Sequence, residues 1–226
     1  MTADAAAGRA AGRDAAAGRA GVRDAVVGRV DGRTARAERT RRAVVDALLE
    51  LTSEGVYKPT AERIVERAGV SLRALWTHFK DMETLYAAAG DRLLELQSEI
   101  YRPVSPTLPL PQRIEQFCRQ RARLLEIVAP AARASALRLP FSTHLQEYRA
   151  TQNARARDEV VELFGAELAA AGPGGEQLLH ATVVASTWPA WGVLRDDFGL
   201  DVPQATAVMT RSITALLAAA LAGAPA

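Results

Sequence analysis

Cysteine, long apolar runs and catalytic signatures are what this chain has least of, and each shortage closes off a class of protein. Cys118 is its only cysteine. No internal disulfide can form, which fits a reducing compartment. The three histidines, His78, His144 and His180, have no carboxylate or cysteine at metal-ligand spacing, so neither a metal nor a cofactor is expected. Neither Gly-x-Ser-x-Gly nor a phosphate-cradling glycine loop occurs, which argues against an enzyme. A triad of Cys118 with His144 or His180, joined only in the fold, is the catalytic combination left open. The longest apolar run, Ala215 to Ala222, is alanine-dominated and short of the roughly 18 residues that span a bilayer. No apolar stretch of seven follows the first arginines and the first 35 residues lack serine, so neither a secretory signal nor a transit peptide is indicated. A cytoplasmic protein without a membrane role is expected. Strand-like alternation is weak throughout, and helical periodicity dominates.

Charge of one sign is also missing. The 226 residues carry 28 basic and 26 acidic side chains, a net charge of +2, so affinity for a polyanion must come from local placement. The arginines gather near the start. Over residues 1–35, Gly-Arg recurs at Gly8, Gly12, Gly18, Gly28 and Gly32 among alanines. Only Val22, Val26, Val27 and Val30 offer apolar bulk, too little to offset the entropy of ordering. The sequence predicts a disordered arm there, with a short helix available around Val22 to Val30. Its role is either to follow DNA along the backbone or minor groove, or none, as an unselected extension.

What is present lies between Arg42 and Leu85. Val44, Val45, Leu48, Leu49 and Leu51 recur at spacings of three and four and predict a helix that Gly55 ends. Pro59 disfavours helix just before it, and Thr60 can cap a second helix, with Glu62 in its first turn and Ile64, Val65 and Ala68 on its buried side. Gly69 makes a turn, Val70 plugs the joint, and Ser71 caps a third helix from Leu72 to about Phe79. Asp81 starts a fourth. A helix of two turns is too small to supply a core. It is the right size to enter a major groove about 12 Å wide.

The run RRAVVDALLELTSEGVYKPTAERIVERAGVSLRALWTHFKDMETLY, with Gly55, Thr60, Ile64, the Ala68-Gly69-Val70-Ser71 turn, Leu75, His78-Phe79, Glu83 and Leu85, resembles the N-terminal DNA-binding domain of the TetR family of transcriptional regulators. The resemblance implies an all-α fold: a three-helix helix-turn-helix unit, here residues 36–85, followed by a helical effector-binding and dimerisation domain, residues 86–226. It also implies a repressor released from its operator by a small molecule. An activator, a regulator without a ligand and a protein-interaction module are the alternatives. Three positions depart from the family pattern. Trp76 stands where a tyrosine is usual, Met82 where a lysine is common, and Arg73 where the residue is often small.

Candidate DNA contacts follow from the motif. Arg73 is placed either to read guanine through O6 and N7 or to meet a phosphate. Leu72 can pack on a thymine methyl or be half-buried. Ser71, Trp76, Thr77, His78 and Lys80 flank the third helix, where hydroxyl, imidazole, indole and ammonium groups can meet phosphates. Lys58 and Thr60 lie at the start of the second helix. Arg41, with Arg39 and Arg42, is expected to precede the first helix and to approach phosphates from there. Leu75 and Phe79 read as core.

Beyond the fourth helix, expected from Asp81 to about Tyr101, Pro103, Pro106, Pro109 and Pro111 predict a stiff linker. Helices are expected over 112–128, 130–138, 141–171, 175–196 and 203–222, broken by Pro130, Pro140, the Gly172-Pro173-Gly174-Gly175 cluster, Gly199 and Pro203. The last two are apolar over more than one stripe, so Val184, Trp191, Met209, Ile213, Leu216 and Leu217 are the expected interface of a homodimer closing a four-helix bundle. Such a dimer would present two recognition helices to a palindromic operator on double-stranded DNA. The resemblance implies an effector pocket within the middle helices, for which Phe117, Cys118, Arg121, Phe141, His144, Tyr148, His180 and Trp188 are the candidate liners, with packed core as the alternative for each. The implied switch is a population shift in which the ligand favours a conformation that splays the recognition helices, bending at Tyr86 to Leu96 and Pro130 to Leu137.

Overall fold

The computed structural model describes residues 32–136 and 138–222. The expected arm, as far as residue 31, and Leu137 in the expected bending segment lie outside them. All regular structure among the described residues is helical: α1 over 32–53, α2 Ala61–Ala68, α3 Leu72–His78, α4 Met82–Ile100, α5 Leu110–Ser135, α6 Thr143–Ala170, α7 Gly175–Ala185, α8 Trp188–Gly192 and α9 Val202–Ala222. Short 3-10 turns cover Leu139–Phe141 and Gly172–Gly174, and a π turn over Val193–Asp197 extends α8.

α1 ends, and α2, α3 and α4 begin, where their punctuation places them, but α1 is already helical at residue 32, so Arg39, Arg41 and Arg42, expected before it, lie within it. Gly55 takes φ 85° after α1, and the Val56 N–H donates back to the Leu51 carbonyl at 2.9 Å. The Thr60 hydroxyl accepts the Arg63 N–H, the Ser71 hydroxyl accepts the Ala74 N–H, and Asp81 exchanges hydrogen bonds with Thr84 in a capping box. Gly69 adopts the left-handed conformation, φ 66° and ψ 33°, after which the Val70 N–H returns to the Val65 carbonyl at 3.0 Å. Val44, Leu48, Leu51, Ile64, Leu75, Phe79 and Leu85 are buried together as one cluster, with Val70 packed against it. α1 already runs over 32–35, residues assigned from the sequence to the arm. α4 straddles the boundary expected at 85–86, since Leu85, Ala88 and Ala89 all belong to this first cluster.

A second cluster lies between α5, α6, α7, α8 and α9. At its centre Phe117 and Phe164 meet edge to face at 5.6 Å. Phe164 is also where α6 kinks, with φ −121° and ψ 17° inside the helix. Two expected breaks moved. Pro130 does not divide α5: the ring removes one backbone hydrogen bond, but Leu125, Val128 and Ala129 are buried around it and that packing carries the helix on to Ser135. The helix expected over 175–196 instead stops at Ala185, because Pro189 sits in the first turn of a new helix. Pro111 likewise lies within the first turn of α5 rather than in the linker.

The dimer expectation needs correction at four residues. Trp191, Met209, Ile213 and Leu217 are at most 2% exposed and belong to the protomer's own core. The Trp191 indole N–H donates to Glu126 at 2.7 Å. The excess apolar surface that suggested an interface is consumed because α9 packs against α5, α6 and α7 at once. Leu216 is half-buried, and Val184 remains exposed at 63%.

Gly69 provides a clean test of the turn. A Cβ there would meet nothing within 4 Å, so Gly69→Ala should cost only the left-handed backbone penalty, about 1–2 kcal/mol in urea unfolding, with Gly69→Asn losing less. Equal stability of all three proteins would show that the turn can relax without the glycine.

Candidate nucleic-acid interface and ligand cavity

α3 is anchored from one side and bare on the other. Leu75 is fully buried and Phe79, its C-cap, is 3% exposed, while Leu72, Arg73, Trp76 and Thr77 face solvent. Trp76 exposes 44% of its surface, unusual for so large an apolar group. Arg73 has no ion-pair or hydrogen-bond partner for its guanidinium among the described residues, and neither do Lys58 and Lys80 for their ammonium groups, both exposed. Arg39 is exposed and equally unpaired, whereas Arg41 is half-buried with its guanidinium over the Phe79 ring at 5.3 Å.

The hydroxyls differ in what they can still do. Ser71 and Thr60 both accept backbone N–H groups as caps, but the Thr60 hydroxyl also donates to the Glu62 carboxylate, so of the two Ser71 keeps its hydrogen for an outside acceptor. Thr77 spends its hydrogen on the Arg73 carbonyl at 2.7 Å, so in this rotamer it can only accept. His78 closes α3 and is half-buried. Arg67, by contrast, is committed to structure: its two terminal nitrogens grip Glu54 at 2.8 Å each and tie α2 to α1. That hydrogen bonding holds the Glu54 carboxyl below its usual range. Arg73 on α3 and Lys80 just after it carry no such commitment.

A cavity of about 300 Å³ lies between α4, α5, α6 and the start of α8, with Leu48, Leu49 and Thr52 of α1 closing one wall. Four of the expected liners reach it: Arg121, His144, Tyr148 and Trp188. Four do not. Phe117 and Cys118 are fully buried in the second cluster, because the face of α5 that carries them turns toward α6 and α9. Burial pushes the Cys118 thiol up to about 11, which leaves it unreactive at neutral pH. Phe141 is 90% exposed on its 3-10 turn, and His180 points outward from α7.

Sequence reasoning missed the polar belt of this cavity. Gln97 of α4 and Gln152 of α6 meet across it, the Gln152 amide donating to the Gln97 carbonyl at 2.7 Å and to the Tyr148 hydroxyl at 2.9 Å. Burial pushes the Tyr148 phenol up to about 12, so it stays protonated. The available signal was a glutamine on the inner face of each helix, where the pattern calls for apolar residues. Arg138 also lines the cavity. It stacks over Tyr86 at 4.0 Å and donates to the Tyr57 carbonyl at 3.2 Å, joining the end of α5 to the first helical cluster.

Two buried ion pairs link α5 to α6, and they differ in quality. Arg113 holds Glu167 through two nitrogens and also reaches the Leu163 carbonyl. Burial opposes ionisation of Glu167, but these hydrogen bonds prevail and keep its carboxyl below the usual range. Arg121 holds Glu159 through a single nitrogen, leaving Arg121 Nε and Glu159 Oε1 without partners. Burial here pushes the Glu159 carboxyl up despite its arginine. Arg121→Met alone or Glu159→Leu alone should therefore lose about 3–5 kcal/mol in urea unfolding, and the double variant should recover most of it. A double loss equal to the sum of the two singles would show that the pair is not a coupled unit.

Among the described residues no helix is long and apolar enough to cross a membrane. The fold is shared with a crystal structure of a transcriptional regulator from Rhodococcus sp. Rha1, at a TM-score of 0.57 and 20% sequence identity, over 81% of this chain and 96% of that one. No family model matches the chain, and no curated protein matches it in sequence.

Proposed function

We propose that this protein is a sequence-specific DNA-binding transcriptional regulator of the TetR type, a homodimeric repressor in the cytoplasm that a small molecule in the α4–α6 cavity releases from a palindromic operator. The observation that carries this reading is the outer face of α3. A capped two-turn helix, buried on one side through Leu75, offers Leu72, Arg73, Trp76 and Thr77 to solvent, with Arg73 and the neighbouring Lys80 without ion pairs among the described residues. Such a face has no use in folding, and its size suits a major groove. The shared fold with a solved regulator supports the same reading. The Cys118 triad left open by the sequence loses its nucleophile, since Cys118 is buried in the core.

The cavity supports regulation by its position. Its walls include α1 and α4, which also carry the cluster that seats α3. An occupant that bound one arrangement of α4 better than another would shift the spacing of two recognition helices by that difference in affinity. With Trp191, Met209, Ile213 and Leu217 inside the protomer, the dimer face reduces to exposed positions on α7 and α9, among them Val184 and Val208.

A gel shift against DNA flanking the gene, repeated across salt concentrations, tests the reading: a complex that weakens steeply with salt is expected, and its absence would overturn the proposal. Arg73→Ala should cost about 1–3 kcal/mol at one operator position and relax preference there if the guanidinium reads a base, whereas a uniform loss across sequences assigns it to phosphate. Val184→Arg should turn the dimer into a monomer in sedimentation and weaken operator binding with it. A dimer that survives this change would place the twofold face elsewhere.

A further inference from the structure

The titratable groups lining the cavity are all of one sign or neutral. Arg121, Arg138, Arg149 and His144 line it, and no Asp or Glu does. Three acids of the surrounding helices already have partners. Glu159 neutralises Arg121, Glu147 lies 3.6 Å from His144 on the outer side, and Glu83 accepts the Ser142 hydroxyl. Arg138 has only a carbonyl and an aromatic ring as partners, and Arg149 has no ion pair among the described residues.

The polarity is also graded along α6. His144, Tyr148, Gln152 and Ala156 recur every four residues on its cavity face. Their burial rises in that order, from an exposed histidine through a half-buried tyrosine and glutamine to an alanine 1% exposed. The entry end thus carries the uncompensated arginines, while Leu93, Leu125, Val128 and Trp188 supply apolar surface further along the walls. The hydrogen of the Tyr148 hydroxyl has no acceptor among the described residues, because that oxygen only accepts from Gln152. A ligand oxygen beside it would find a donor ready.

We infer that the cavity takes an amphipathic organic acid, with its apolar body along α4, α5 and α8 and its carboxylate at the entry end, against Arg138 and Arg149. This deepens the regulatory reading and rests on it for the ligand's purpose. Its physical content is separate: a cavity lined by arginines without acids favours a carboxylate over a neutral or cationic head on the same body, since charge-assisted hydrogen bonds are the stronger ones.

Titration calorimetry on the full chain, with decanoate, 1-decanol and decylammonium each kept below its aggregation threshold, tests the preference. Decanoate is expected to bind about tenfold tighter than 1-decanol, with decylammonium weakest. Arg149→Gln, an exposed change without an ion pair to lose, should remove part of the preference, and Arg138→Gln with Arg149→Gln should bring decanoate down to the level of 1-decanol measured on the same double variant. Equal or tighter binding of the alcohol or the amine, an unchanged preference in the double variant, or no binding of any probe would overturn the inference. No DNA is present in this experiment, so a failed gel shift with the decanoate preference intact overturns the regulatory reading alone. The opposite pair of results overturns the ligand class alone.

Discussion

A seven-residue helix cannot sustain itself in water, and the rest of this protein's organisation follows from how α3 is nevertheless held in place. Nucleation costs more than two turns of backbone hydrogen bonds return. The deficit is met from outside the helix. Leu75 and Phe79 go into the cluster built by Val44, Leu48, Leu51 and Ile64, Ser71 caps the start, and Gly69 turns the chain tightly enough that α2 and α3 share one apolar joint. Because all the anchoring lies on one side, the other side is left free of structural duty. That is why an exposed indole and an unpaired arginine can persist there.

The same cluster extends into the fourth helix, and this gives the two halves of the chain a shared member. Leu85, Ala88 and Ala89 pack with the N-terminal helices, while Leu93 is buried further along and Gln97 reaches the Leu124 carbonyl of α5. Side-chain links run beside it: Arg92 to Asp46, Ser142 to Glu83, and Arg138 to Tyr57 and Tyr86. The cavity opens in the middle of these connections. Gly90 marks how close the helices come, since a Cβ there would lie 3.0 Å from the Tyr148 ring. A molecule that moved Tyr148 would therefore press on α4 directly, which is the physical route the proposed regulation requires.

The legible parts of the sequence were those in which the signal is local. Caps at Thr60, Ser71 and Asp81, the glycines at 55 and 69, and the buried stripe of α1 act within one turn of their own position, and the structure places each of them as its chemistry demands. Pro130 and Pro189 show where local reasoning ends. Both are prolines in helix-rich sequence, yet one is carried through a continuous helix by buried neighbours and the other opens a new helix. The ring chemistry is identical, and the difference lies in the packing on either side.

The sequence by itself determined that the chain is helical, where α1 stops and α2, α3 and α4 start, and which side chains of α3 face away from the core, because hydrogen-bonding caps, φ-permissive glycines and periodicity are properties of short segments. Only the tertiary structure decided which apolar faces meet each other. It sent Phe117, Cys118, Trp191, Met209, Ile213 and Leu217 into a common interior and left Arg138, Gln97 and Gln152 around a cavity. Amphipathicity states that a helix face must be covered, but burial is non-directional, so what covers it is settled only when all the helices are packed together.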